Sequence, residues 1–159
     1  MKTILAPIDF SRVTDAVVDE AAALAHAFQG RVVLLTITQP ALMLSEYAPV
    51  ADNVAEIAAA GEKNAARQLA QFEAKLAAHA ISVESVQLTG MPTTLILEQA
   101  EKISADYIVM GSHGHTALYD LIVGSTTHGV LLRAQCPVII VPTVKAKGLK
   151  TREERYAVV

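Results

Sequence analysis

The stretch "DYIVMGSHGHTALYDLIVGSTTHGVLLRAQCPVIIVP", residues 106–142, decides how this chain folds. It opens on the apolar run Asp106–Met110, closes on a second run, Pro137–Val141, and carries Gly111, Gly114 and Gly124 between them. Apolar residues at consecutive positions suit strands covered on both faces, whereas a half-exposed strand would alternate. Gly124-Ser125 opens a segment that reads as a helix ending near Gln135. Strand, glycine-bearing loop, helix and strand in that order describe a right-handed crossover between parallel strands.

Working outward, three more strand-like runs precede this unit: Thr3–Ile8, Arg31–Ile37 and Ser82–Leu88. Helix-like segments separate them. Val13, Val17, Ala21, Leu24 and Phe28 recur at helical spacing, with Gly30 where a C-terminal cap belongs. Asn53 is placed to cap a long Ala-rich helix whose inner face would be Val54, Ile57, Gly61, Ala65, Leu69, Phe72 and Leu76. Pro92 suits the first turn of a third helix running to about Ser104. Strict β-α alternation predicts an α/β fold, a single doubly wound five-stranded parallel sheet flanked by helices.

Ligands in such folds bind beyond the carboxyl ends of the strands, where strand order reverses. Pro7-Ile8-Asp9, Ile37-Thr38 and the glycine segment are the stretches that reach that edge. The connector Gln39–Asp52, with Pro40, Met43, Tyr47 and Pro49, reads as a flexible flap over it. Residues 143–159 carry dense mixed charge and read as a solvated tail, or as an arm that packs on a partner subunit. The expected division is therefore a domain over residues 1–142 and a charged C-terminal tail over 143–159.

Composition narrows the function classes. A chain of 159 residues, 52% hydrophobic and 18% charged, is long enough for one globular core and too apolar for disorder. A net charge of −3, no Trp and three Phe argue against a nucleic-acid partner. No uncharged apolar stretch is long enough to cross a bilayer, so no membrane association is expected. Only Met1-Lys2 precedes the first run, so no signal peptide is expected. With Cys136 as the sole cysteine, a reducing, cytoplasmic location is the expectation.

The glycine segment has the chemistry of an anion site. A loop leaving a parallel strand and feeding a helix presents unpaired N–H groups, and glycine lets backbone approach a phosphate with no Cβ in the way. Gly111 and Gly114 would turn the chain past Met110. Gly124 would return it so that Ser125, Thr126 and Thr127 open the next helix beneath the same anion. The segment is not a Walker loop, since no Gly-Lys-Ser/Thr occurs and no lysine lies in residues 103–144. Spacing alone leaves two readings open, a phosphate cradle or a set of turns and caps.

These residues resemble the universal stress protein family. Residues 106–142 resemble its C-terminal half, including the nucleotide motif Gly-x2-Gly-x9-Gly-Ser/Thr; "ILAPIDFS" resembles its first strand and acidic turn, and "TGMP" its third-strand exit. The resemblance implies the ATP-binding branch and a Rossmann-like sheet of order 3-2-1-4-5. By position it implies that Asp9 accepts from the ribose hydroxyls, with Pro7 and Ile8 in the same wall. Ile37 would pack on adenine, and Met110 would lie under base or ribose. Gly111, Gly114, Gly124, Ser125, Thr126 and Thr127 would hold the phosphates, beside His113 and His115. ATP, AMP or ADP is the implied ligand, Mg²⁺ would ride on the phosphates, and a homodimer would form through Val138–Val141. His115 and Tyr119-Asp120 stand where basic residues are usual, which should weaken triphosphate binding.

Other side chains divide between structural and functional roles. Asp9 is a helix-entry residue by position alone and a ribose ligand beside the glycine motif. His113, His115 and His128 lack a carboxylate or cysteine at ligand spacing, so loop histidines near an anion are favoured over a zinc site. No Ser-His-Asp or Cys-His arrangement marks a nucleophile, and no catalytic residue is assigned. Adenine nucleotide is expected as a regulatory ligand. The alternatives are a slow ATPase or phosphotransferase and a nucleotide-free interaction scaffold.

Overall fold

A computed structural model of the chain describes residues 1–39, 54–112 and 124–142. In chain order the elements are β1 (Thr3–Pro7), α1 (Thr14–Ala27), β2 (Arg31–Thr38), α2 (Val54–Ala78), β3 (Ser82–Thr89), α3 (Pro92–Lys102), β4 (Tyr107–Gly111), α4 (Ser125–Leu131) and β5 (Val138–Val141). The strands form one sheet of order β3-β2-β1-β4-β5, with every neighbouring pair parallel. This is the doubly wound, five-stranded arrangement that the alternation of runs predicts.

Pleating divides each central strand between two cores. Ile4, Ala6, Val32, Leu34 and Val109 pack with Val17, Val18, Ala21, Leu69 and Leu76 on the α1/α2 side. Leu5, Val33, Leu35, Ile108 and Met110 pack with Ile96, Ala100 and Val130 on the α3/α4 side. Ile4 and Leu5 are both fully buried, so adjacent residues of β1 serve opposite layers. Each such aliphatic side chain contributes about 1.5–3 kcal/mol by leaving water.

The N-terminal edge of the sheet is closed by Asp106. Its Oδ1 accepts from Lys2 Nζ at 2.6 Å and its Oδ2 from the Thr3 amide at 2.8 Å, while its own amide donates to the Thr3 carbonyl at 2.9 Å. The Lys2 hydrogen bond, followed by that of the Thr3 amide, holds the Asp106 carboxyl below its ordinary value. These contacts fix β1 against β4 at the end away from the expected ligand edge.

The glycine expected to cap α1 has another purpose. The left-handed residue is Gln29 (φ 48°), whose amide donates to His26, and the Gly30 amide donates to Ala25 at 2.7 Å. Gly30 is small because a Cβ there would stand 2.4 Å from the Lys2 carbonyl oxygen. The same closure, with a non-glycine residue at positive φ, recurs at Ala80 after α2 and at Ser104 after α3, so α3 ends at Lys102.

Two helix expectations differ from the structure. Ile57 is 67% exposed, and a Cβ at Gly61 would meet nothing within 4 Å, so residues 56–64 of α2 carry no inner face. At 25 residues α2 outlasts strands of 8 residues. It spans ~37 Å against ~26 Å of strand, and its start projects past the sheet. Helix α4 ends at Leu131, short of Gln135, where the chain turns with the Arg133 and Ala134 amides both donating to the Val130 carbonyl before it crosses to β5.

Candidate functional site at the carboxyl edge of β1 and β4

Strand order reverses between β1 and β4, and the helices that follow them, α1 and α4, pack on opposite faces of the sheet, the place where such folds bind ligands. The β1–β4 register pairs Ile4 with Tyr107 and Leu5 with Ile108; continued, it sets Pro7 beside Met110 and Ile8 beside Gly111. On the other flank Pro7 pairs with Leu35, which places Ile37 level with Asp9. Asp9, Ile37 and the exit of β4 therefore meet at one edge.

The turn after β1 is built to present Asp9. The Ile8 amide still donates to Leu35 at 2.8 Å, so the chain stays in the sheet through Ile8, which is buried. Asp9 is exposed, and its Oδ1 accepts from the Ser11 amide at 3.0 Å. Phe10 between them has φ 59°, an uncommon conformation for an aromatic residue, and its ring packs on the α1/α2 core. Burial of that ring offsets the backbone strain and directs Asp9 away from the core. Pro7 and Ile37 are half-buried.

The exit of β4 is tied to α4 on both sides of residues 113–123. Gly124 donates its amide to Ser112 at 2.9 Å, and Thr127 donates its hydroxyl to the Gly111 carbonyl at 2.9 Å. Ser112 in turn donates its amide to Val141, which fastens the same point to β5. Ser125 is exposed and Thr126 half-buried on the first turn of α4, where backbone amides have no partner within the helix. Gly124 lies at φ −56° and ψ 151°, extended backbone open to any residue. The backbone conformation at this position therefore does not require glycine.

Some expected site residues are engaged elsewhere. The Met110 side chain is 5% exposed and lies in the α3/α4 core, so the edge meets its backbone. Thr127 is 4% exposed, and its single hydroxyl proton is committed to Gly111. His113, Gly114 and His115 lie outside the described residues, as do Tyr119 and Asp120. Among the described residues no group of three His, Cys, Asp or Glu side chains is placed to hold a metal ion. None of the described helices is long and apolar enough to cross a membrane.

Sequence reading missed two contributors and left the glycine inside the fourth helix, Gly129, without an explanation. Ser112 joins α4 and β5 through its backbone, which no side-chain pattern reveals. Arg12, exposed in the turn that presents Asp9, brings positive charge to this edge. Gly129 has a structural cause: a Cβ there would meet Thr93 Cγ2 at 2.8 Å, so glycine lets α4 lie close against α3. The signal was the glycine inside a helical pattern, but its partner is distant in sequence.

Comparison with known proteins agrees with this architecture. The model of the Universal stress protein family matches residues 1–142. Universal stress protein A homolog 1 of Coxiella burnetii is 30% identical over 146 residues, covering 88% of this chain and 95% of the relative. The structure of universal stress protein UspA from Lactobacillus plantarum superposes with a TM-score of 0.77 at 26% identity, covering 88% of this chain and 97% of that one. A universal stress protein from Archaeoglobus fulgidus, solved in complex with dAMP, shares the fold at 20% identity and a TM-score of 0.63, over 88% of this chain and 97% of its own. With the family pattern running through both halves of a sheet of the matching order, this chain belongs to the Universal stress protein family.

Proposed function

We propose that the chain binds an adenine nucleotide at the carboxyl edge of β1, β2 and β4, and uses it as a regulatory ligand in a cytosolic stress response. The observation that carries this reading is the pair of ties across the glycine segment, Gly124 to Ser112 and Thr127 to Gly111, beside the turn that presents Asp9. They hold a side-chain-free position and the first turn of α4 next to an exposed carboxylate, an arrangement suited to phosphate on one side and ribose hydroxyls on the other. The dAMP complex of the Archaeoglobus protein lends support from within the same fold.

In this reading Asp9 accepts from the ribose, Pro7, Ile8, Ile37 and the Met110 backbone form the base and sugar walls, and Gly111, Gly124, Ser125 and Thr126 approach the phosphates. Thr127 acts by holding Gly111 in place. His113, Gly114 and His115 complete the cradle. ATP would bring Mg²⁺ on its phosphates. The nucleotide domain spans residues 1–142, with 143–159 as a tail. β5, Val138–Val141, pairs with β4 alone among the described residues and has no charged side chain to blunt its edge, so a second copy pairs with it in a homodimer.

Isothermal titration of the full chain with ATP, ADP and AMP, with and without Mg²⁺, tests the ligand. Heat release that is lost in Asp9→Ala is expected, and no heat at millimolar nucleotide overturns the reading. Phosphate release above background would replace the regulatory role with an ATPase.

A further inference from the structure

Because α4 stops at Leu131, the chain reaches β5 without covering the flank of α3. A cavity of about 470 Å³ lies between α3 and the α4–β5 connection. Its accessible apolar surface comes from Leu97, Ala105 and Ala134, and its volume falls within the range of about 300–1,000 Å³ typical of small-molecule sites. It is separate from the edge that presents Asp9: Ser104 and Cys136, at the entries to β4 and β5, line it.

The charges around this cavity are unbalanced. Glu98 and Glu101 line it from α3, one helical turn apart, and neither forms an ion pair among the described residues. Arg133 lines the other wall, but its Nε donates to the Gly129 carbonyl at 3.2 Å, which draws the guanidinium back along α4. Two carboxylates beside an apolar surface recognise a molecule with an apolar body and a positive end.

We infer that this cavity is a second ligand site, taking a small aromatic or aliphatic amine whose ammonium pairs with Glu98 and Glu101. The apolar body rests on Leu97, Ala105 and Ala134. The site does not depend on the nucleotide reading, since none of its residues belongs to the carboxyl edge.

Cys136 supplies a built-in reporter. It is the sole cysteine and half-buried in the cavity lining; burial, and after it the negative charge of Asp106, raises its thiol above the ordinary value. Reaction of the full chain with dithiodipyridine at mildly alkaline pH therefore reads access to the cavity, with 2-phenylethylamine as the probe. For a Kd near 1 mM, about 10 mM probe should slow modification about tenfold. Phenylacetate, its anionic counterpart, should leave the rate unchanged.

The Glu98→Gln/Glu101→Gln double variant should raise the probe's Kd about threefold, the scale of two exposed ion pairs. Glu56→Gln, on the far side of the molecule, should not change it. Amide shifts of Ala100, Ala105 and Ala134 on titration give a readout independent of the thiol. Protection by phenylacetate equal to that by the amine, unchanged affinity in the double variant, or no protection and no shifts would each overturn the assignment.

Discussion

The Thr127 hydroxyl donates to the Gly111 carbonyl at 2.9 Å, joining the first turn of α4 to the last residue of β4. Thr127 is 4% exposed, so the bond lies where water cannot replace it. Thr127→Val keeps the shape and removes the donor, leaving the carbonyl without that partner. Urea denaturation should show a loss of about 1–2 kcal/mol. Thr127→Ser keeps the hydroxyl and should stay closer to the parent. On the proposed function, nucleotide affinity falls in the Val variant and is largely kept in the Ser variant; equal affinities would separate the tie from binding.

Gly129 and Thr93 set how closely α4 approaches α3. Alanine at 129 gains about 1 kcal/mol of helix propensity, yet its Cβ would meet the stiff Thr93 side chain at 2.8 and 3.1 Å. The clash should prevail, with Gly129→Ala destabilising by about 1–2 kcal/mol. Thr93→Ala removes the obstructing atoms, so the double variant should recover that loss. A double-mutant cycle checks this, and additive effects would show the contact is not the cause.

The junction of α1 and β2 separates two roles that glycine plays. Gln29 holds the left-handed position, so Gln29→Gly should stabilise by about 0.5–1 kcal/mol. Gly30 holds the tight one, where alanine would press a Cβ to 2.4 Å from the Lys2 carbonyl oxygen. Gly30→Ala should lower the thermal midpoint clearly, whereas Gln29→Gly should raise it; thermal scans of the two variants decide it.

This pair also shows what a sequence can and cannot convey. Consecutive apolar residues in β1, β2 and β4 reveal the two-sided sheet because the pattern is local. Asp9, Ile37 and Gly111 could be assigned to one edge because topology alone brings strand ends together. The Lys2 carbonyl over Gly30, Thr93 against Gly129 and Val141 bonded to Ser112 join residues far apart in sequence, and their backbone or packing contacts leave no periodic trace. The inner face drawn for α2 failed at Ile57 because periodicity cannot tell where the sheet beneath a helix ends.

The Asp106 clamp predicts a definite pH response. Its carboxyl is lowered in the fold, by the Lys2 hydrogen bond first and the Thr3 amide second. A group with a lowered folded value adds stability above its ordinary value of 3.8, and that stability disappears as pH falls through the lower folded value. Asp106→Asn should therefore melt a few degrees below the parent at neutral pH, with the gap closing below pH 3.8. Lys2, raised by the same contact, adds the complementary dependence: its contribution is complete below 10.5 and lost as pH rises through the folded value. Thermal midpoints of parent and variant across acid and alkaline pH test both directions, and a constant gap would refute the clamp.

Gly124 offers the sharpest separation of fold from ligand. At φ −56° and ψ 151° it occupies backbone that valine adopts without strain, so Gly124→Val should leave the thermal midpoint little changed. The isopropyl group would instead stand at the mouth of α4, beside the amide that donates to Ser112, where the proposed phosphate approaches. Adenine-nucleotide affinity should fall at least about tenfold, or ~1.4 kcal/mol, with alanine intermediate. Titration calorimetry on the three proteins, alongside their melting curves, reads both quantities. A folded Val variant that binds as tightly as the parent would move the phosphates elsewhere; a variant that fails to fold would show Gly124 is needed by the sheet itself.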